Sequence, residues 1–107
     1  MTTKSLWIDD IRTPDNPDQY DIARTYDEAI DFLSKNKYNT IFLDHDLADF
    51  KDGKERTGYT IVLWLAERAH NGLYVPHEYK FLTANPVGRR NMAAVIEKYL
   101  TKEESSI

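Results

Sequence analysis

Asp9, Asp10, Asp44, Asp46, Asp49 and Asp52 gather acid into two short segments of a 107-residue chain, and that uneven placement is the first pointer to chemistry. Three or more carboxylates within a few ångströms repel one another, so they stay together only with a cation, a shared proton or solvent screening. A hard divalent ion is the economical answer. The chain has no cysteine, and oxygen-only ligands favour Mg2+, Mn2+ or Ca2+ over zinc; Mg2+ commonly takes one or two carboxylates, waters and substrate phosphate oxygens. A lone aspartate after a strand is more often a turn or cap residue. Here two apolar runs both end in acid, as IDD and LDHD, which makes Asp9, Asp10 and Asp44 the candidate metal ligands. His45 lies between Asp44 and Asp46. It is a further ligand or a proton donor near neutral pH, or else a packing residue, because alternation turns it away from Asp44 if the strand continues.

A second constellation is Asn85-Pro86-Val87-Gly88-Arg89-Arg90. If it opens a helix just after a strand, free backbone N–H groups, the helix dipole and a guanidinium would meet an anion there, and a phosphate fits. The plainer alternative is that Asn85 is an ordinary N-cap and the arginines are solvated. His70 and His77 have no acid motif beside them and read as surface or cap residues. Trp7, Trp64, Tyr59 and Phe81 lie in strand or helix runs and read as core, not as base-stacking groups.

The elements that must position these groups can be traced along the chain. Ser5 to Ile8 is a short apolar run tipped with acid, a buried strand. Ile11 to Asp18 holds two prolines and is a loop. Tyr20 to Arg24 alternates as a short edge strand. Thr25 and Glu28 form a capping-box pattern opening a helix to about residue 36. Thr40 to Leu43 is a second acid-tipped strand. Asp46 to Arg56 is charged and contains Gly53, which predicts an exposed loop. Thr57 caps a helix over Gly58 to about His70, closed by Asn71 and Gly72. Tyr79 to Thr83 is a strand, and Asn85 caps a helix through Leu100. This order predicts an open, mostly parallel sheet with helices packed on it, and ligands bind such sheets beyond the strand C-termini. Asp9, Asp10, Asp44 and Thr83 all fall at that edge.

The length predicts one domain over residues 1–100, with a frayed tail at 101–107. The first ten residues reach two aspartates with no apolar stretch, so no secretion signal is expected and the mature chain is expected to begin at Met1. No segment is apolar for the ~20 residues a membrane span requires. With no cysteine, the expectation is a soluble cytoplasmic protein. A net charge of −4 argues against a duplex DNA partner.

Together LWIDD, TIFLDHDL, TGY and FLTANP resemble a receiver domain of two-component signalling, and most of all its divergent cyclic-phosphate-processing receiver-like branch. The likeness spans roughly Leu6 to Leu100. It implies a flavodoxin-like α/β three-layer sandwich, reduced to about four mostly parallel strands and three helices. In a receiver the acid pair after the first strand binds Mg2+, an aspartate after the third accepts phosphate, and a threonine or serine ends the fourth. Asp9 and Asp10, Asp44, and Thr83 occupy those places. A proline loop replaces the first helix of a receiver, and the fifth strand with its lysine has no counterpart. The receiver-like branch shares these losses, and it shares the DHDL and ANPxG signatures found here at 44–47 and 84–88.

That resemblance implies metal-assisted processing of a cyclic phosphate on a nucleotide or an RNA end. In this scheme Asp9, Asp10 and Asp44 hold Mg2+ or Mn2+, Asp46 or His45 moves the proton, and Thr83, Asn85 and Arg89 hold the phosphate. Two alternatives stand beside it. One is a phosphoaccepting switch at Asp44. The other is a non-catalytic binding or inhibitor module that offers the acidic loop 46–55 to a basic partner.

Overall fold

The computed structural model describes residues 4–100; the tail at 101–107, expected to fray, lies outside the described residues. Strand β1 (Ser5–Ile8) alternates so that Leu6 and Ile8 are fully buried while Trp7 faces the other way. Strand β3 (Thr40–Leu43) repeats the pattern with Ile41 and Leu43. With β2 (Tyr20–Ala23) and β6 (Glu78–Phe81) they form a four-stranded parallel sheet, in the order β2-β1-β3-β6. Register pairs Ile8 with Leu43 and Leu43 with Phe81, so the acid-bearing ends of β1 and β3 leave the sheet side by side.

Helices α1 (Tyr26–Lys35), α2 (Gly58–His70) and α3 (Pro86–Val95) place Ala29, Leu33, Ile61, Val62, Leu65 and Met92 in one core with the Leu6, Ile8, Ile41, Leu43 face. Each of these side chains larger than alanine contributes about 1.5–3 kcal/mol by leaving water. The caps fall where the sequence put them. The Thr25 hydroxyl accepts from the Glu28 N–H, Thr57 and Thr60 form a reciprocal box, and Asn85 accepts from Val87 and Gly88. A π-type turn continues the last helix over Ile96–Leu100. Among the described residues no helix is long and apolar enough to cross a membrane.

The chain is therefore a receiver-like α/β sandwich in reduced form, with the third layer made of loop. On the far sheet face Trp7, Tyr20 and Phe42 pack ring to ring at 5.3–5.5 Å. The proline loop folds over them, burying Pro14, and the Trp7 indole N–H donates to the Arg12 carbonyl at 3.0 Å.

One expectation is corrected. The segment after Asp46 is not an irregular loop but a hairpin of β4 (Asp49–Lys51) and β5 (Lys54–Arg56). Its turn, Asp52-Gly53, has positive φ at both residues, 54° and 77°, the geometry whose twist suits a two-residue hairpin. Arg56 fastens the hairpin to α1 through Asp27 at 3.0 Å and ties β5 to β4 through Asp49 at 3.1 Å. Asp49 in turn accepts from the Tyr26 N–H at 2.8 Å.

Candidate functional site

The site begins with the two strand ends. Parallel pairing continues one residue past the strands, where the Asp9 N–H donates to the Ala23 carbonyl and the Asp44 N–H to the Ile8 carbonyl. The carboxylates of Asp9, Asp10 and Asp44 thereby offer oxygens that all lie within 4.8 Å of one another. This is the trio marked from the sequence as metal ligands. Asp9 is 1% exposed. Its Oδ1 accepts from the N–H groups of Ile11 and Arg12 at 2.9 and 3.0 Å, fixing the turn. Its Oδ2 is buried without an aligned hydrogen bond.

Asp44 is also buried, and its Oδ1 accepts from the His45 N–H at 2.8 Å. Burial, and next the charge of Asp9, push the Asp44 carboxyl above its ordinary range, while His45, Arg12 and a hydrogen bond from Thr83 pull it back. Removing a carboxylate from water and placing another beside it both penalise the charged form. A divalent ion is what such an oxygen set would accept. The fit is tested by Asp9 Oδ2, an acceptor kept from water without a well-directed donor, and the donor set is all oxygen.

Glycine lets the helices close on this edge. A Cβ at Gly58 would lie 2.1 Å from the Asp44 carbonyl oxygen, and the Gly58 N–H donates to the His45 carbonyl at 2.8 Å. Helix α2 thus begins against the backbone of Asp44, which explains the glycine of TGY. A Cβ at Gly88 would meet the His45 ring at 2.6 Å. His45 is accordingly packed under the start of α3, and its Nδ1 lies 2.8 Å from Asp46 Oδ1. Asp46 is the member of that pair that lines the cleft over the acids.

The cleft has a volume of about 550 Å3, and its lining includes Asp10, Asp44, Asp46, Thr83 and Asn85. Arg89 stands apart. It lines a neighbouring groove with Pro86 and Arg90, and its Nη2 donates to the Thr83 carbonyl at 3.4 Å. The start of α3 uses its own donors as well. Pro86 has no N–H, Val87 and Gly88 donate to Asn85 Oδ1, and Arg89 donates to the Asn85 carbonyl. What Asn85 can turn to a ligand is its Nδ2.

The residue that sequence reasoning missed is Arg12. Its Nη1 donates to the Leu82 carbonyl at 2.7 Å, Nε lies 3.1 Å from Asp9 Oδ2, and Nη2 lies 3.8 Å from Asp44 Oδ2. A guanidinium therefore already partly neutralises the carboxylates. Arg24 secures the loop carrying it, donating from Nη1 to the carbonyls of Asp9 and Arg12 and from Nη2 to Thr13. The one available signal was a cation three residues after Asp9, at a spacing the Asp9 turn brings back onto the acid.

Comparison with curated proteins and with solved structures finds no match. The model of the cyclic-phosphate processing receiver domain matches residues 4–98, which include both strand-end acids, Thr83 and the ANPxG segment. With so much of the chain matched, and with a parallel sheet that brings those groups to one rim, the protein belongs to the cyclic-phosphate processing receiver domain family.

Proposed function

We propose that the rim binds Mg2+ or Mn2+ through Asp9, Asp10 and Asp44 and that the chain hydrolyses a cyclic phosphate carried by a nucleotide or an RNA end. The observation that carries this reading is the convergence of three carboxylates, two of them buried, within 4.8 Å. A bound divalent ion would supply charge neutralisation at a phosphoryl oxygen and a lowered pKa for water.

The chain's own residues do the rest. Asp46, on the cleft wall and joined to His45, accepts the proton of the attacking water, and the imidazole beside it holds its carboxylate in place. Arg12, half-exposed at the rim, would be able to offer its guanidinium to the phosphoryl oxygens if a cation neutralised the acids. The Asn85 amide and the Thr83 hydroxyl contact the phosphate from the other wall. Arg89, in its neighbouring groove, acts through the Thr83 carbonyl that it holds.

The test is turnover of 2′,3′-cyclic nucleoside phosphates with Mg2+ or Mn2+. Asp44→Asn should abolish it with the fold retained. A variant as fast as the parent chain overturns the scheme. The switch reading draws on Thr83 beside Asp44 and predicts a mass increase on Asp44 after exposure to a small phosphodonor and Mg2+. The interaction-module reading loses one of its charges, because Asp49 is committed to Arg56 and to Tyr26.

A further inference from the structure

The cleft is larger than a cation and a phosphate group need, and its outer wall is not phosphate-binding in character. Its volume, about 550 Å3, lies in the range of small-molecule sites. Phe50 lines it and is 65% exposed, and Ile11 on the same cleft is 79% exposed. Both side chains lose unfavourable contact with water if a flat apolar group of a ligand covers them. Phe50 sits in β4 directly opposite Glu55 in β5, so the two side chains share one face of the hairpin, and Glu55 also lines the cleft. The hairpin that presents them is held to α1 by the Arg56–Asp27 ion pair and by Asp49, which accepts from the Tyr26 N–H.

We propose that Phe50 and Glu55 form a nucleobase subsite, in which the phenyl ring stacks on the base and the carboxylate accepts from its donor edge. This rests on the cyclic-phosphate reading of the same cleft and names the part of the ligand beyond the phosphate. Glu55 and Asp46 disfavour a second phosphate on that wall by like charge, so the outer part of the ligand is neutral and aromatic. Stacking on an aromatic side chain tolerates any base. The carboxylate selects among them. Guanine presents N1–H and an N2 amino group side by side and can engage both carboxylate oxygens with charge-assisted bonds. Adenine and cytosine offer one amino group, as in a carboxylate contact to cytosine N4. Uracil offers a single N–H between two carbonyl oxygens that a carboxylate repels. The expected order is guanine first and uracil last.

Binding to the full chain in Mg2+ is measured by heteronuclear NMR titration with four probes: guanosine and uridine 2′,3′-cyclic phosphates, base-free glycerol cyclic phosphate, and guanosine alone. Phe50→Ala should weaken the guanosine cyclic phosphate about 5- to 150-fold, and Phe50→Trp should restore it. Glu55→Gln should erase the preference for guanine over uracil, and neither variant should affect glycerol cyclic phosphate. Equal affinities that ignore these substitutions, or a guanine preference that survives Glu55→Gln, overturn the subsite and leave the cyclic-phosphate reading intact. If guanosine binds in a Phe50-dependent way but no cyclic phosphate gains from its phosphate, the subsite stands and the cyclic-phosphate reading falls. If none of the four binds, both fall.

Discussion

Replacing Asp44 with asparagine should stabilise the metal-free protein and abolish its response to metal, two effects of opposite sign from one oxygen-to-nitrogen change. The carboxylates of Asp9 and Asp44 present oxygens no more than 4.8 Å apart, and two unit charges at that distance repel by about 3.5 kcal/mol at an effective dielectric of about 20. Three losses offset the gain, the smallest being the charge assistance of the Thr83 hydrogen bond, about 0.5 kcal/mol. Arg12 Nη2 lies 3.8 Å from Asp44, but Arg12 is 55% exposed, so solvent screening limits its attraction to about 1 kcal/mol. The His45 N–H keeps an amide oxygen as acceptor but loses charge assistance, about 1 kcal/mol more. The net gain is about 1 kcal/mol, a rise in Tm of about 4–8 °C for a chain of this size. The pH dependence has a definite sign. Because the folded protein raises the Asp44 pKa above its unfolded value, the wild type is favoured at low pH and loses that contribution as pH rises through the folded value. The advantage of Asp44→Asn should therefore grow with pH and then level off. Calorimetry from pH 4 to 8, in chelator and again in Mg2+, measures all three effects. Wild type should gain about 2.7 kcal/mol at a hundredfold excess of Mg2+ over its Kd, and the variant should gain little of it. A variant that melts lower than wild type in chelator, or that keeps the full Mg2+ shift, refutes the electrostatic account of the rim.

Three further outcomes follow from other contacts. Arg12→Gln should tighten Mg2+ binding up to about fivefold in a titration, since it removes a competing cation worth about 0.2–1 kcal/mol, yet slow any cyclic-phosphate turnover. Gly58→Ala forces a methyl group to within 2.1 Å of the Asp44 carbonyl oxygen and should cost about 3 kcal/mol or more in urea denaturation, because backbone has to move. Tyr38→Phe removes a 2.5 Å hydrogen bond from a fully buried phenol to Asp21 and should cost about 1–2 kcal/mol, read as a lower denaturation midpoint with unchanged slope.

Where each residue's role was set by its neighbours in sequence, it was legible. Ile8-Asp9-Asp10 and Leu43-Asp44 showed apolar strands tipped with acid, parallel topology then required the tips to meet, and Thr25, Thr57 and Asn85 announced their helices. Roles set across space were not legible. Arg12 reaches the acids only because the Asp9 turn curls the chain and Arg24 pins the loop. Arg89, the expected anion partner, projects into the neighbouring groove, and the helix N-terminus expected to meet an anion is satisfied by Asn85. The hairpin did leave a mark, because Asp52-Gly53 is a two-residue turn signal. It was obscured because the flanking residues are mostly charged and Arg56, more than any apolar alternation, holds the hairpin down.

The glycine at the start of α2 ties the chemistry to the interior. Its N–H holds the carbonyl next to Asp44, and its missing side chain lets the helix axis press on the main chain carrying that acid. The same helix sends Ile61, Val62 and Leu65 into the centre of the molecule. Packing defects far from the rim, even ones too mild to unfold the chain, would therefore be transmitted as a tilt of one acid relative to its neighbours. In a library of interior substitutions, ion affinity should decline ahead of melting temperature, and the earliest failures should map to the residues beneath this helix.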